Sequence, residues 1–558
     1  MVPPLSIESL VRRDLRLRAA YAEGAGIYRI VPAGVALPAS IEELQALVRW
    51  AAESGTALTA RGAGSGIPGN AVGAGIIVDL RERMPRRLEI DAASRSAVTS
   101  ANITQHELNA AAAPHGLRLP PDPSSSRWAT LGGMASTNAA GARTVRYGPA
   151  RSWVAALEIV TADGDVVWLD RGVTVSTGIV AIDRFRRDAA PAIRAAADTI
   201  AARFPRTRKN TAGYALDAWL ASGDDLDLFI GAEGTLGLIT TIRWRLDRIP
   251  AARAGLRIAL SRLDQLETAV GALVALHPSA VELLDRTFLD LVREEGGAGR
   301  EAAGVPEGTE AVLLVEFERD DATQIRGVVG DAVRAVKEIA TDIATALTAD
   351  EEQKLWVLRH AASPILASLP PERRSLQVIE DGCVPLARLG EYVAAIRAAA
   401  QRWRMTVVIF GHAGDGHLHV NLLPELAELD WPARVRGLYT EVSAAVIRLG
   451  GTVSGEHGDG RLRAPLLAAQ YGSEVMALFQ RVKTAFDPEG IFNPGVKLPQ
   501  SRSPFRQLKV GLDVAPIPED IALALREIER SGGYARSRVE IAEGKPDAGD
   551  EQAVGSRR

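Results

Sequence analysis

Three glycine-rich segments in the first half of the chain constrain its fold most. They are Arg61-Gly62-Ala63-Gly64-Ser65-Gly66-Ile67-Pro68-Gly69-Asn70, then 121–141, then Gly231 to Thr240. Glycine admits positive φ and lets the backbone approach a ligand closely. Successive main-chain N–H groups in such a loop form a nest for an anion such as a diphosphate. The first segment lies between two apolar runs that read as short strands. It does not fit the dinucleotide fingerprint G-x-G-x-x-G opening a helix, because Pro68 and the strand-like Ile76-Ile77-Val78-Asp79-Leu80 follow. The second segment, with Pro121-Asp122-Pro123-Ser124-Ser125 and Thr130 to Gly141, adds hydroxyls to small residues, which suits backbone lying along a flat ligand. Singly, each segment also reads as a turn between strands; in sequence they point to a cofactor-binding first domain.

The chain has 558 residues, too many for one core, so two or three domains are expected. A formal charge of -4 with no basic block gives no sign of a nucleic-acid partner. No run approaches the roughly 18–20 apolar residues that span a bilayer, and the first residues lack the apolar core of a signal peptide. The expectation is a cytoplasmic protein, soluble or peripheral to the inner membrane. The single cysteine, Cys383, excludes an intrachain disulfide, a Cys-based zinc site and a cysteine-ligated iron–sulfur cluster within this chain. It reads as a small buried hydrophobe. Electron transfer here would need an organic cofactor.

Ser40 and Glu43 form a capping box that starts a helix carrying Ile41, Leu44, Leu47, Val48 and Ala51 at helical spacing. Residues 153–169 read as a hairpin and 188–204 as an alanine-rich helix. From about 255 the pattern becomes α+β: strands at 255–260 and 311–317 alternate with amphipathic helices at 262–276, 321–346 and 386–403. Strands near 405–411 and 417–423 bracket Gly-His-Ala-Gly-Asp-Gly-His-Leu-His-Val-Asn. Pro516 to Gly532 predicts one more helix, and the last twenty residues are expected to be without order.

Four of the 8 histidines fall in two motifs: His412, His417 and His419 in the first, His457 in Ser-Gly-Glu-His-Gly. Histidines with a carboxylate are the usual ligands of zinc and related ions. Two pairings are open on geometry. His417 and His419 would share one face of a strand, or a Gly-Asp-Gly turn would bring His412 to His419. Glu456 or His457 could complete either set.

The stretches RGAGSGIPGNA, PPDPSSSRWATLGGMASTNAAG, Arg146-Tyr147-Gly148 and GAEGTLGLIT resemble the FAD-binding domain of the vanillyl-alcohol oxidase and p-cresol methylhydroxylase superfamily, from about Val31 to Leu246. The resemblance implies α+β architecture: a two-subdomain FAD-binding domain at 31–246 after an N-terminal helix and arm at 1–30. An α+β substrate domain with an antiparallel sheet follows at 247–499, then a tail at 500–558. It implies bound, not tethered, FAD held by Arg61, Gly62, Gly64, Ser65, Gly66, Gly69 and Asn70. Asp122, Ser125, Gly132, Gly133, Ser136, Asn138 and Gly141 would follow, then Glu233, Gly234, Ile239 and Asn493. The histidine motifs resemble the D-lactate and D-2-hydroxyglutarate dehydrogenase branch, which includes the FAD subunit of glycolate oxidase. By that resemblance a divalent metal, zinc with manganese or iron as alternatives, sits on His412, His419 and Glu456. His457 is the catalytic base, and Asn421, Arg359 and Ser363 bind substrate. His417 stands where the family usually has Asn, either as a polar replacement or as a fourth ligand. A family lysine expected near Ile379 is absent, which counts against a dicarboxylic substrate unless Arg373 or Arg374 substitutes. The implied reaction is oxidation of a small D-2-hydroxy acid to its 2-oxo acid. Electrons would pass to electron-transfer flavoprotein, a quinone or a cytochrome, and a homodimer is a further implication. The rival expectations are a metal-free flavin alcohol oxidase and a catalytically degenerate FAD subunit.

Overall fold

A computed structural model describes residues 7–173, 178–295, 304–501, 503–511 and 513–545. The chain opens with a small parallel unit. Strand Gly34–Ala36 leads through helix Ile41–Ser54 to strand Leu58–Arg61, and Ile76–Asp79 pairs parallel with both strands. Ser40 caps the helix by accepting from Glu43 N at 3.2 Å. The Glu43 carboxylate reaches back to Ala39 N rather than to the cap residue itself. The loop after Arg61 leaves the C-terminal end of a parallel strand, where ligand crevices form in such sheets, and it borders one here.

Beside this unit stands a five-stranded antiparallel sheet built from Leu88–Asp91, Ser96–Ser100, Val154–Val160, Val166–Asp170 and Leu238–Arg245. The hairpin expected at 153–169 forms its outer pair. The alanine-rich helix is split into Ala190–Ala195 and Ala197–Arg203 by a break at Ala196. Pro191 fits only in a first helical turn, so the segment restarts at Ala190 instead of continuing from Val180–Asp188.

The second half is organised by a seven-stranded sheet in the order Asp342–Ala346, Ala252–Leu260, Ala311–Arg319, Ala280–Asp285, Thr406–Gly411, His417–Leu423 and Gly382–Cys383. The expected helix at 321–346 ends at Val336, and Asp342–Ala346 is an edge strand. Both faces of this sheet are covered, so its central strands are nearly continuous in apolar character. Leu313, Val315 and Phe317 point into one core, and Val312 and Leu314 into another. Side chains alternate along a strand, so Glu282, Glu316 and Glu318 share the second face, which turns toward the glycine-rich loops. Glu316 and Glu318 meet Arg143 and Arg118 of the first half at 2.6 and 2.7 Å.

The chain then returns. Helix Leu467–Phe486 kinks at Gly472 and packs in the first-half core, and Phe492 pairs with Leu58. Beyond 500, helix Glu519–Ser531 buries Ile521, Leu525 and Ile528 against Leu17 and Tyr21. Helix Arg538–Glu543 occupies the start of the stretch expected to be without order and buries Ile541 and Ala542 there; 546–558 lie outside the described residues. Among the described residues no helix is long and apolar enough to cross a membrane.

Candidate active site

One continuous cleft runs from the glycine-rich loops to the histidine cluster. Main chain from Gly62 to Ile67 lines one end, the Asp122–Ser125 and Gly132–Ala142 segments the middle, and His412, His419, Glu456 and His457 the other end. Gly62, Gly64, Ser65, Gly66, Asn70, Asp122, Ser125, Gly132, Gly133, Ser136, Gly141, Glu233, Gly234 and Ile239 all line it. Several glycines are sterically required. A Cβ on Gly141 would lie 2.3 Å from the Asp122 carbonyl oxygen, and one on Gly62 2.3 Å from Thr130 Oγ1. Asn70 Oδ1 is buried with no hydrogen-bond partner, a polar group the fold leaves for something bound in the cleft. An anion nest at one end, flat small-residue walls and an orphaned amide oxygen fit a flavin dinucleotide.

Four expected cofactor contacts sit differently. Arg61 lines the cleft, but its buried guanidinium is committed to the carbonyls of Tyr21, Glu23 and Ala71 and so braces the loop. Gly69 abuts the Tyr28 ring, where a Cβ would approach to 2.5 Å, and does not line the cleft. Asn138 caps helix Leu131–Thr137 with φ 52° and accepts from Arg151 N. Asn493 is a strut: its Nδ2 donates to the Asn70 and Glu233 carbonyls at 2.8 and 2.9 Å, tying two cleft loops together. Glu233 lines the cleft, but its carboxylate accepts from Asp459 and Gly460 N–H and pairs with Lys497 at 3.0 Å.

At the far end, the hairpin of Thr406–Gly411 and His417–Leu423 pairs Phe410 with His419 and Val408 with Asn421. The two-residue period therefore puts His419 and Asn421 on the face that carries Glu282. His412 Nε2, His419 Nε2 and Glu456 Oε1 converge, separated pairwise by 3.2, 3.3 and 3.5 Å. Tetrahedral zinc with bonds of about 2.1 Å spaces its ligands by about 3.4 Å. Each ring is held by its second nitrogen, His412 Nδ1 by Glu282 at 2.6 Å and His419 Nδ1 by the Glu380 carbonyl at 2.8 Å, as metal-binding imidazoles usually are. This donor set fits a divalent cation.

For His419 and Glu456 the electrostatics agree. Burial drives His417 and His419 well below the usual histidine value, so both are neutral and can offer lone pairs. Burial would raise the Glu456 carboxyl, but Lys209 and then His412 and His417 outweigh it, holding the group well below the carboxylate range. His412 is raised despite burial because Glu282 faces it. His417 joins His412, His419 and Glu456 in a group of four whose ligand atoms lie within 4.8 Å of one another. Its Nε2 is 2.9 Å from Asp381 Oδ1, and its Nδ1 is buried without a hydrogen bond, 3.9 Å from Glu456 Oε2.

His457 faces the same space, with Nδ1 2.6 Å from Glu380 Oε2 and Nε2 3.5 Å from Glu456 Oε1. Arg359, on helix Ala349–His360, lines the cleft, and its Nε donates to Glu282 Oε2 at 2.6 Å. Asn421 Oδ1 accepts from Ser375, and its Nδ2 is buried without a partner at the cleft wall. The side chain of Ser363 lies outside what the structure describes. Arg373 and Arg374 do not line the cleft; Arg374 pairs with Glu529 and Arg373 approaches Glu425 at 3.7 Å. Cys383 is buried, with Sγ donating to the Asp415 carbonyl.

Sequence reasoning missed the residues that hold these groups in place. Glu282, Glu380, Asp381, Lys209 and Arg463 surround the cluster, and Trp356, His360, Gln377 and Phe410 complete the lining near Arg359. Glu282 had one signal: a lone acid inside the apolar run Ala-Val-Glu-Leu-Leu. A buried charge demands a partner.

Two families of known proteins match the chain. The FAD binding domain family matches residues 32–170, and the family of FAD linked oxidases, C-terminal domain, matches 249–496. The chain is 29% identical over 471 residues to the glycolate oxidase subunit GlcD of Bacillus subtilis (strain 168), covering 84% of this chain and 89% of that protein. It is 29% identical over 464 residues to a D-lactate dehydrogenase of Archaeoglobus fulgidus, covering 83% and 90%. The solved 4-ethylphenol oxidase from Gulosibacter chungangensis superposes with a TM-score of 0.61 at 17% identity, over 88% of this chain and 95% of that one, a likeness of fold.

Proposed function

We propose, for a chain that belongs to the FAD-linked oxidases of the vanillyl-alcohol oxidase and p-cresol methylhydroxylase fold, that it oxidises a small D-2-hydroxy acid to the 2-oxo acid. One observation carries this reading: three converging ligand atoms, a carboxylate-held imidazole and an arginine share one end of a cleft whose walls fit FAD. Bound FAD would supply the two-electron acceptor. A cation on His412, His419 and Glu456 would supply Lewis acidity toward the substrate's hydroxyl.

The chain's own residues do the rest. Arg359 binds the substrate carboxylate, and its ion pair with Glu282 and its place over the Phe410 ring, 5.1 Å from the centroid, fix the guanidinium. Asn421 orients the same end through its unpartnered Nδ2. Glu380 accepts a hydrogen bond from His457 Nδ1–H, which holds the ring so that its Nε2 lone pair removes the hydroxyl proton. Electrons then leave to an external acceptor, a flavoprotein, quinone or cytochrome, from a cytoplasmic or membrane-peripheral enzyme. Around Arg359 the lining is Trp356, His360 and Gln377, with no second arginine or lysine among the described lining residues near that end. Burial lowers His360, so it is neutral at pH 7. This lining suits a substrate with one carboxylate, as in D-lactate, glycolate and longer D-2-hydroxy monocarboxylates, and D-2-hydroxyglutarate would set its second carboxylate against uncharged groups.

The test is anaerobic flavin spectroscopy with D-lactate, glycolate, longer D-2-hydroxy acids and D-2-hydroxyglutarate, each with and without chelator. Bleaching by a monocarboxylate that chelator abolishes and zinc or manganese restores is the expected result. Bound FAD that no hydroxy acid reduces would mean a degenerate subunit. Bleaching indifferent to chelator would mean a metal-free oxidase.

A further inference from the structure

The most completely buried cation near the site belongs to the first half of the chain. Lys209 has no exposed side-chain surface, and its ammonium faces three oxygens. Nζ lies 2.7 Å from Glu456 Oε2, 3.0 Å from the Gly141 carbonyl and 3.5 Å from Asp415 Oδ2. The two Asp415 oxygens are buried with no hydrogen bond of their own. The loop carrying Lys209 is stitched to the loop carrying Glu456. Thr211 N donates to the Ser454 carbonyl at 2.8 Å, Gly458 N to Thr211 Oγ1 at 3.2 Å, and Gly213 N to Asp459 Oδ2 at 2.8 Å. Neither partner can drift from the other without breaking this frame.

The consequence is a division of labour within one carboxylate. Glu456 Oε2 is taken by Lys209, and only Oε1 points at the two Nε2 atoms. A carboxylate left to itself can close both oxygens on a cation. Here the second oxygen is occupied by a positive charge that a bound cation would have to share. Lys209 also holds Gly141, a cleft-lining residue of the cofactor wall, so one ammonium joins that wall to the ligand triad.

We infer that Lys209 is a positioning residue that keeps Glu456 a one-oxygen metal ligand, so that part of the ion's coordination sphere stays open for the hydroxy acid. This rests on the metal-assisted reading above. It differs from a merely structural role in the sign of its effect on metal binding. If Lys209 only neutralised and packed a buried carboxylate, removing it would loosen the site and weaken metal binding. If it competes for the carboxylate, removing it lets Glu456 close on the ion and strengthens binding, while the substrate loses its place.

The experiment uses the FAD-loaded full chain stripped of metal and titrated with Co2+ against a competing chelator, followed in the visible d–d bands. Lys209→Met is expected to retain FAD, to bind Co2+ about tenfold more tightly, a change of about 1.4 kcal/mol, and to raise KM for the hydroxy acid. Lys209→Gln keeps a donor for Oε2 without the charge. It should also bind Co2+ more tightly, with a smaller rise in KM, and it stands in if the methionine variant fails to hold FAD. In a Glu456→Gln background Lys209→Met should no longer change Co2+ affinity. X-ray absorption of the wild-type cobalt protein, which needs no variant, should lack the short metal–carbon shell of a bidentate carboxylate. Weaker or unchanged Co2+ binding in FAD-replete Lys209→Met, an equal effect with and without Glu456, or that short shell in the wild type overturns the inference. Failure of the wild-type holoprotein to bind Co2+ at all would instead sink the metal reading on which it rests.

Discussion

A single carboxylate, Glu282, joins the groups assigned to metal and substrate, and replacing it should disturb both together. Oε1 is 2.6 Å from His412 Nδ1 and Oε2 is 2.6 Å from Arg359 Nε. Burial opposes ionisation of Glu282, but His412 and Arg359 reverse this and hold its carboxyl far below the usual range. Glu282→Gln preserves shape and one acceptor oxygen. That oxygen can serve His412 or Arg359 but not both, and the new amide N–H₂ faces the other cation. Losing one partner of a buried ion pair outright costs about 3–5 kcal/mol. With one acceptor retained we expect about 2–3 kcal/mol at pH 7, the size of one charge-assisted hydrogen bond. Metal affinity should fall roughly 10- to 100-fold, as when an outer partner of a ligating histidine is removed. KM for the hydroxy acid should rise because Arg359 is no longer fixed. The pH dependence carries a sign. The folded carboxyl is depressed, so its contribution is present above the unfolded value of 4.5 and is lost as pH falls below that toward the folded pKa. Urea denaturation of wild type and variant should therefore differ most at neutral pH and converge on acidification below about 4.5. Co2+ titration and steady-state kinetics complete the assay. A variant that loses stability but keeps wild-type metal affinity and KM would refute the link, leaving Glu282 as a buried acid with no hand in the site.

Asp285, on the same strand, behaves in the opposite sense. Burial pushes its carboxyl up to about 7. The stability this contributes is complete below the unfolded pKa of 3.8 and is lost as pH rises through about 7, up to roughly 4 kcal/mol. Asp285→Asn should flatten that loss and be relatively more stable at pH 8; parallel pH–stability curves for the two proteins would sink the argument. Gly141→Ala drives a methyl to 2.3 Å from the Asp122 main-chain oxygen, so the purified variant should carry less FAD; full occupancy would show that the loop yields at little cost. Ile521→Ala removes a fully buried anchor of the C-terminal helix and should cost about 2–5 kcal/mol locally, read as faster proteolysis around 500–518 with FAD retained. An unchanged digestion pattern would mean that this helix is held by its ion pairs instead.

How far the site could be read in advance follows from the range over which each constraint acts. The hairpin was legible because its signals are local. A Gly-Asp-Gly turn between two apolar runs brings His412 back to His419, and the two-residue period puts His417, His419 and Asn421 on one face. The glycine loops were legible for the same reason, since positive φ and close approach are properties of a residue and its neighbours. The edge strand Asp342–Ala346 was not, because Asp-Ile-Ala-Thr-Ala continues an alanine- and valine-rich helical run whose small residues suit either period. Pairing across the fold was least legible. Arg61 opens the glycine loop at the end of strand Leu58–Arg61, yet its guanidinium is committed to three carbonyls. Asn493, expected at the flavin, instead ties Asn70 to Glu233. Glu282, Glu380 and Lys209 lie between 39 and 247 positions from the groups they hold. An isolated acid in a buried strand does announce that a partner must exist, because an unpaired buried charge is too costly to keep. It does not announce which of the chain's 65 lysines and arginines or 8 histidines that partner is. The sequence thus bounds the chemistry of the cluster through its ligand types, whereas the open coordination that the proposed reaction requires depends on second partners such as Lys209, which only the assembled fold brings within reach.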